Sequence, residues 1–285
     1  MFDFRPVIPN PASLSAYAEL FNACFPNAEH LNAAYLRWLY VDNPDGLVVG
    51  FDAFSGERLA AHYACIPVHL NLFGQACKGL LSLNTATHPD YQGKGLFTKL
   101  ASRTYDFAAE NGFQGVYGIA NANSTPGFVK KLGFTLIGPL EARLGVGSLA
   151  IIDWKKAAEL AQFQRVWDVD RLHWRSSNPA NRVVVAAAND CEIQIRAATD
   201  KPLISAWARV GGAFAGVPTS SAALSRGSLF LGLLPTGACR FRWSLNIPQR
   251  MRPSPLNFIF RALHGSGRAP ESSGIICSFI DFDAY

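Results

Sequence analysis

No stretch constrains this chain more than His88-Pro89-Asp90-Tyr91-Gln92-Gly93-Lys94-Gly95, which separates an apolar, strand-like run from an amphipathic helix. The inward residues of that helix are Leu96, Leu100, Thr104, Phe107 and Ala108, and Asn111-Gly112 ends it. A proline and two glycines cannot continue a strand ladder, so the chain must turn here. Glycines one residue apart let several backbone N–H groups converge at the start of the helix. Aided by the helix dipole, such a nest binds phosphate. A Walker A loop is excluded because Gly95, not serine or threonine, follows Lys94. A dinucleotide fingerprint is excluded because Thr98 stands where the third glycine belongs. A purely structural turn would use the same short glycine pattern.

Upstream, apolar residues at helical spacing (Leu14, Tyr17, Phe21, then Leu31, Tyr35, Trp38) predict two helices divided by Pro26. The turn Asn43-Pro44-Asp45-Gly46 leads into strands over residues 47–54, 59–68 and 77–87. Beyond the glycine loop and its helix come a strand over 113–120, a short helix over 124–132 and a strand over 134–137. This order makes an α+β fold, a mixed sheet flanked by helices. Leu36-Arg37-Trp38 before Asn43-Pro44 is echoed about 135 residues later by Leu172-His173-Trp174 before Asn178-Pro179. A tandem duplication would produce that echo, giving one domain over residues 1–145 and a smaller α/β domain over 146–285. The second copy has no glycine loop. In its place stand Leu245-Asn246-Ile247-Pro248, Arg250, Arg252, Pro253-Ser254-Pro255 and an apolar run over 256–263 that reads as a helix. A last strand is expected over 279–285, with Asp281 and Asp283 on one face.

At 49% hydrophobic and 16% charged residues, the composition excludes a disordered chain. No apolar run approaches the roughly 18 residues that span a bilayer. The start, Met1-Phe2-Asp3-Phe4-Arg5-Pro6, lacks a basic segment followed by an apolar one, so no secretion signal is expected. The cysteines are too far apart for a CxxC motif, which predicts reduced thiols in the cytoplasm and no bound metal. Residues 1–150 carry 10 basic against 11 acidic side chains, and residues 151–285 carry 16 against 10, of which 13 are arginine. Arginine suits bidentate contact with phosphate or carboxylate, so an anionic ligand near the second half is one reading and plain solubility the other. No basic run is interleaved with aromatics, and nucleic acid is not an expected partner.

The segment from Thr87 to Leu96, through Gln92, Gly93 and Gly95, resembles a signature of the GNAT (GCN5-related N-acetyltransferase) superfamily. Asn123 and Lys131-Leu132-Gly133-Phe134 resemble its second signature at the matching separation. The resemblance implies a GNAT-like sheet and acetyl- or acyl-coenzyme A as co-substrate. The amides of Gln92, Gly93, Lys94, Gly95 and Leu96 would then hold the pyrophosphate. Two strands would splay around the pantetheine arm, with Thr85, Ala86 and Thr87 lining it. Asn123 would meet the thioester end, Phe128 would sit beside the arm, and Lys94 would add charge at the phosphates. One departure matters. Where the family often has a tyrosine as acid to the leaving thiolate, this chain has Val129. A thiolate with a pKa of about 8.5 leaves with little help, so positioning and oxyanion stabilisation would carry the reaction.

Candidates for base or acceptor contact are Asn84 on the cofactor strand, His62 beside Tyr63 in an alanine-rich strand, and Tyr117 beside the expected splay. Histidine has the intrinsic pKa to deprotonate an ammonium group, although a lone strand histidine is equally a structural residue. His88, before Pro89, reads as a turn residue. The leading expectation is an N-acyltransferase acting on a small-molecule amine in a ternary complex. The arginine-rich half suits a phosphorylated or nucleotide-linked amino sugar, held by Arg250 and Arg252. The alternatives are a non-catalytic coenzyme A-binding protein and an aminoacyltransferase of the cell-wall type, against which the intact glycine loop argues.

Overall fold

In a computed structural model, residues 1–214, 216–220, 226–252, 254–264 and 267–282 are described. The first half runs β1 (Asp3–Pro6), α1 (Pro11–Cys24), α2 (Ala33–Tyr40), β2 (Val49–Ser55), β3 (Arg58–Leu72), β4 (Gln75–Thr87), α3 (Leu96–Glu110), β5 (Gly115–Ala120), α4 (Thr125–Lys131), β6 (Thr135–Pro139) and β7 (Glu141–Val146). Asn10 and Asn32 cap α1 and α2, each accepting first-turn amides through its side chain. Along β3, Ala61, Tyr63 and Cys65 pack with α3, while Ala64, Ile66 and Val68 pack with α1 and α2. That alternation gives a sheet covered on both faces.

The second half runs β8 (Ala150–Ile152), α5 (Trp154–Leu160), β9 (Phe163–Arg165), α6 (Val169–Ser176), β10 (Val183–Ala188), β11 (Glu192–Ala198), β12 (Ile204–Gly211), β13 (Gly227–Leu233), β14 (Cys239–Phe241), β15 (Ser244–Asn246), β16 (Asn257–Ala262) and β17 (Ile275–Ser278). Its pairing follows that of the first half. β2, β3 and β4 form an antiparallel meander and β5 joins β4 in parallel. Likewise β10, β11 and β12 form a meander and β13 joins β12 in parallel. Strands β9 and β17 bridge β3 to β13, so the whole makes one 15-stranded sheet.

The halves also exchange strands. β16, from the second half, lies between β5 and β6 of the first. β7, from the first, lies between β13 and β15 of the second. The sequence division at residue 145 is thus crossed by strands in both directions. The run over 256–263, expected as a helix, is this β16 strand. Phe258, Ile259 and Phe260 are consecutive and all buried, which a central strand covered on both faces accommodates. The expected strand over 279–285 is also corrected. Residues 279–281 form a 3-10 turn closed by a capping box between Ser278 and Asp281. Asp281 is buried, accepting from Trp167 and from Ser278, so it faces no acceptor. Asp283 lies outside the described residues.

Among the described residues no helix is long and apolar enough to cross a membrane, and no group of three histidine, cysteine or acidic side chains could hold a metal. All six cysteines are free thiols. Burial pushes Cys65 up to about 12 and Cys239 to about 11, and raises Cys277 further with the help of Asp281. Cys191 is the exposed one. A native thiol titration at pH 8 should therefore label Cys191 first and leave Cys65 and Cys277 unmodified until the chain unfolds, which peptide mapping would check.

Candidate active site

Strands β4 and β5 pair at only three positions, ending with Leu81 opposite Tyr117. Beyond that pair they diverge around a cavity of about 590 Å³. Ser82 to Thr85 form one wall, Gly118 to Asn121 the opposite wall, and Phe97, Asn123 and Phe128 close the helical side. A bulge in β4 leaves Asn84 in the left-handed region at φ +45°, which re-aims its side chain. Ile259 on the exchanged strand β16 completes the lining.

The glycine loop closes one end of this slot. Gly93 and Gly95 have φ of +76° and +70°, conformations that favour glycine, and Gly95 is the N-cap of α3. The Gln92 amide donates to Pro89 O at 3.3 Å. The first helical bond is from Lys99 N to Gly95 O, and the described hydrogen bonds give residues 93–98 no protein acceptor for their amides. An added Cβ at either glycine would meet nothing within 4 Å. An open cradle of amides at a helix start, beside a long slot between splayed strands, fits a diphosphate with an extended tail.

Behind Asn84 lies a polar chain. Its Nδ2 donates to Tyr40 Oη at 3.2 Å, and Tyr40 Oη lies 2.9 Å from His62 Nε2. His62 Nδ1 is 2.6 Å from Asp52 Oδ1, and Tyr17 Oη donates to Asp52 Oδ2 at 2.7 Å. All four of these latter side chains are buried, and the Tyr17 ring stacks on His62 at 4.1 Å. Tyr17 is raised well above the usual phenol range, first by burial and then by the Asp52 charge, so it stays a donor. With Nδ1 protonated toward Asp52, Nε2 accepts from Tyr40, Tyr40 accepts from Asn84, and Asn84 Oδ1 is left as an acceptor at the slot.

Of the other expected residues, Thr85, Asn123 and Phe128 line the slot, whereas Ala86 is packed into the core on the other face. Thr87 O accepts from Cys24 Sγ and from Gln92 Nε2. Leu96 is buried in the α3 packing, so its amide alone faces the loop. Lys94 Nζ sits 5.0 Å from the Tyr91 ring and 5.7 Å from that of Phe2. His88 is a turn residue, accepting the Asp90 amide. Tyr117 is not at the slot. Its hydroxyl donates to Asp281 O, its ring lies against Phe163 and Phe258, and burial raises it far above the usual phenol range. Arg252 is spent on the chain itself, donating to Ile247 O, Leu140 O and Asn246 Oδ1. Ser82 and Tyr40 were missed by sequence reasoning. A serine in a strand gives no signal, and Tyr40 is an ordinary apolar position on α2.

Residues 9–137 match the family model described as the acetyltransferase (GNAT) domain. No curated protein matches the sequence. Among solved structures, a conserved protein of unknown function from Enterococcus faecalis V583 is 10% identical with a TM-score of 0.59, covering 92% of this chain and 73% of that one. A GCN5-related N-acetyltransferase from Anabaena variabilis ATCC 29413 is 11% identical with a TM-score of 0.59, covering 93% and 73%. Eis1 from Mycobacterium abscessus is 11% identical with a TM-score of 0.55, covering 92% and 74%. At these identities the likeness is one of fold, and it extends over both halves.

Proposed function

Residues 9–137 are a GNAT acetyltransferase domain, and from that premise we propose that the protein is a cytoplasmic N-acyltransferase carrying an acetyl or short acyl group from acetyl-CoA to a small-molecule amine. The observation that carries this reading is the slot between β4 and β5, ending at a loop whose amides find no protein acceptor. In this reading the amides of residues 93–96 hold the diphosphate, with Gln92 at the edge. Ser82 to Thr85 and Gly118 to Asn121 flank the pantetheine arm, and Asn123 and Phe128 close over it. Acetyl-CoA supplies the activated acyl carbon, a thioester open to attack by an amine.

The chain's own part is orientation and proton handling. Asn84 Oδ1 accepts a hydrogen bond from the incoming amine and aims its lone pair. Asp52, His62 and Tyr40 fix the Asn84 amide from behind, which makes them positioning residues. Replacing Asn84 with alanine should lower kcat about tenfold, the loss of one aligned hydrogen bond of about 1.4 kcal/mol, with little change in KM for acetyl-CoA. Steady-state kinetics would check this, and equal loss in both constants would contradict it.

Calorimetry with coenzyme A, followed by thiol release with acetyl-CoA and a panel of amines, tests the whole reading. Coenzyme A binding with no acceptor-dependent thiol release would favour the second reading, a non-catalytic binding protein, for which Val129 speaks. A nucleotide-linked amino sugar is included in the panel. It draws on the arginine-rich second half, but Arg252 lends it no support because its donors are already engaged. An aminoacyl-tRNA donor would leave the amide cradle unused.

A further inference from the structure

Three hydroxyl groups form a buried chain that reaches the slot from the α3 side of the sheet. Ser82 Oγ, on the slot wall, lies 2.7 Å from Tyr63 Oη, which lies 2.5 Å from Tyr105 Oη. Cys65 Sγ donates to Tyr63 Oη at 3.6 Å. Both tyrosines are buried in an otherwise apolar cluster that includes Leu80, Val116 and Ile259. Counting protons fixes the direction of the chain. Tyr105 Oη has Tyr63 as its one hydrogen-bond partner among the described residues, so its proton points to Tyr63. Tyr63 therefore spends its single proton on Ser82. The Ser82 proton is left over, and it points into the slot. Burial raises both phenols well above their usual range, so the chain keeps this polarity through neutral and alkaline pH.

We propose that Ser82, polarised by Tyr63 and Tyr105, donates the hydrogen bond that stabilises the sulfur of coenzyme A as the acyl group leaves. The proposal rests on the reading of the slot as a coenzyme A site, and it supplies the donor that Val129 cannot. As the N–C bond forms, the C–S bond breaks with its electron pair on sulfur. The proton shed by the amine nitrogen ends on sulfur or in water. Ser82 keeps its own proton throughout, because an aliphatic hydroxyl is a far weaker acid than a thiol. Ser82 would touch the reacting group; Tyr63 and Tyr105 act through it.

A donor aimed at sulfur lowers the pKa of a bound thiol, and this can be read without turnover. Free coenzyme A, bound to the full-length protein, is titrated by the ultraviolet absorbance of its thiolate. The bound thiol should titrate below the free value of about 8.5. Ser82→Ala should move it up by about one unit, a tenfold change in the acid constant, and Tyr63→Phe by part of that. In the double variant Tyr63→Phe should add nothing further, since it acts through Ser82. Coenzyme A affinity, measured by calorimetry, should stay within threefold. The same bound pKa in wild type and Ser82→Ala, with binding intact, overturns the proposal and spares the reading of the slot. Failure of the wild type to bind coenzyme A overturns both.

Discussion

Replacing Gly95 with aspartate should weaken coenzyme A binding at least 100-fold while leaving the fold intact. The loss corresponds to about 2.7 kcal/mol, and its physical origin is local. Gly95 sits at the N-cap of α3 with φ +70° and ψ +20°, in the left-handed region. A side chain there meets no neighbouring atom within 4 Å, so nothing must move to admit it. The left-handed backbone costs about 1 kcal/mol for a residue with a Cβ, least for aspartate and asparagine. A carboxylate at a helix N-terminus recovers part of that through the free amides and the dipole. The same carboxylate competes with a diphosphate for those amides and repels it. Gly95→Ala separates the two effects, because it carries the backbone strain without the charge, and its affinity should fall less than tenfold. Calorimetry on the three proteins, with melting temperatures as a control on folding, decides the matter. Wild-type affinity in Gly95→Asp would mean that no diphosphate lies on this loop.

Much of this site was legible because its signals are local. The proline and glycines at 89–95 punctuate the chain, and the 3.6-residue pattern from Leu96 to Ala108 announces a helix, so the strand–loop–helix unit could be read directly. What sequence could not supply was partnership across distance. His62 was visible as a lone strand histidine, but Asp52 reaches it through β-pairing and Tyr40 through the packing of α2, at separations of 10 and 22 residues. The hydroxyl chain joins Tyr63 to Tyr105 across 42 residues. Arg252 shows the opposite error. Its composition-level signal suggested an anion, whereas its guanidinium staples a loop by three bonds to the chain's own oxygens. The run over 256–263 failed as a helix because an unbroken apolar stretch looks alike in a buried helix and a central strand. Strand exchange was invisible for a related reason. The local pattern of β7 or β16 is the same whichever half it joins.

That exchange makes the two halves depend on one another, and the largest stability effects should appear where they meet. Trp38 on α2 and Trp174 on α6 stack with ring centroids 4.8 Å apart and planes at 14°. Each indole N–H donates to the other residue's backbone carbonyl, at 2.8 and 3.0 Å. Both carbonyls lie in the last turn of their helices, where no intrahelical donor remains, so each ring caps the opposite helix. Trp38→Ala or Trp174→Ala should therefore cost about 3–5 kcal/mol, the range for deleting a buried aromatic side chain. On a chain of this size that lowers the melting temperature by roughly 10 °C. The two losses should not add. Once one ring is gone, its partner has already lost the stack and the capped carbonyl, so the double variant should fall short of the sum by about 1–2 kcal/mol. Denaturant unfolding of the two single variants and the double variant measures this. Full additivity, or single effects below 1 kcal/mol, would show that the pair is not what holds α2 to α6. The consequence reaches the slot, because Ile259, which lines it, arrives on β16 from the second half and pairs with Gly118 on β5. A fragment ending at residue 145 would lack that wall, so a protein whose halves are loosened at the tryptophans should lose coenzyme A affinity in step with its stability.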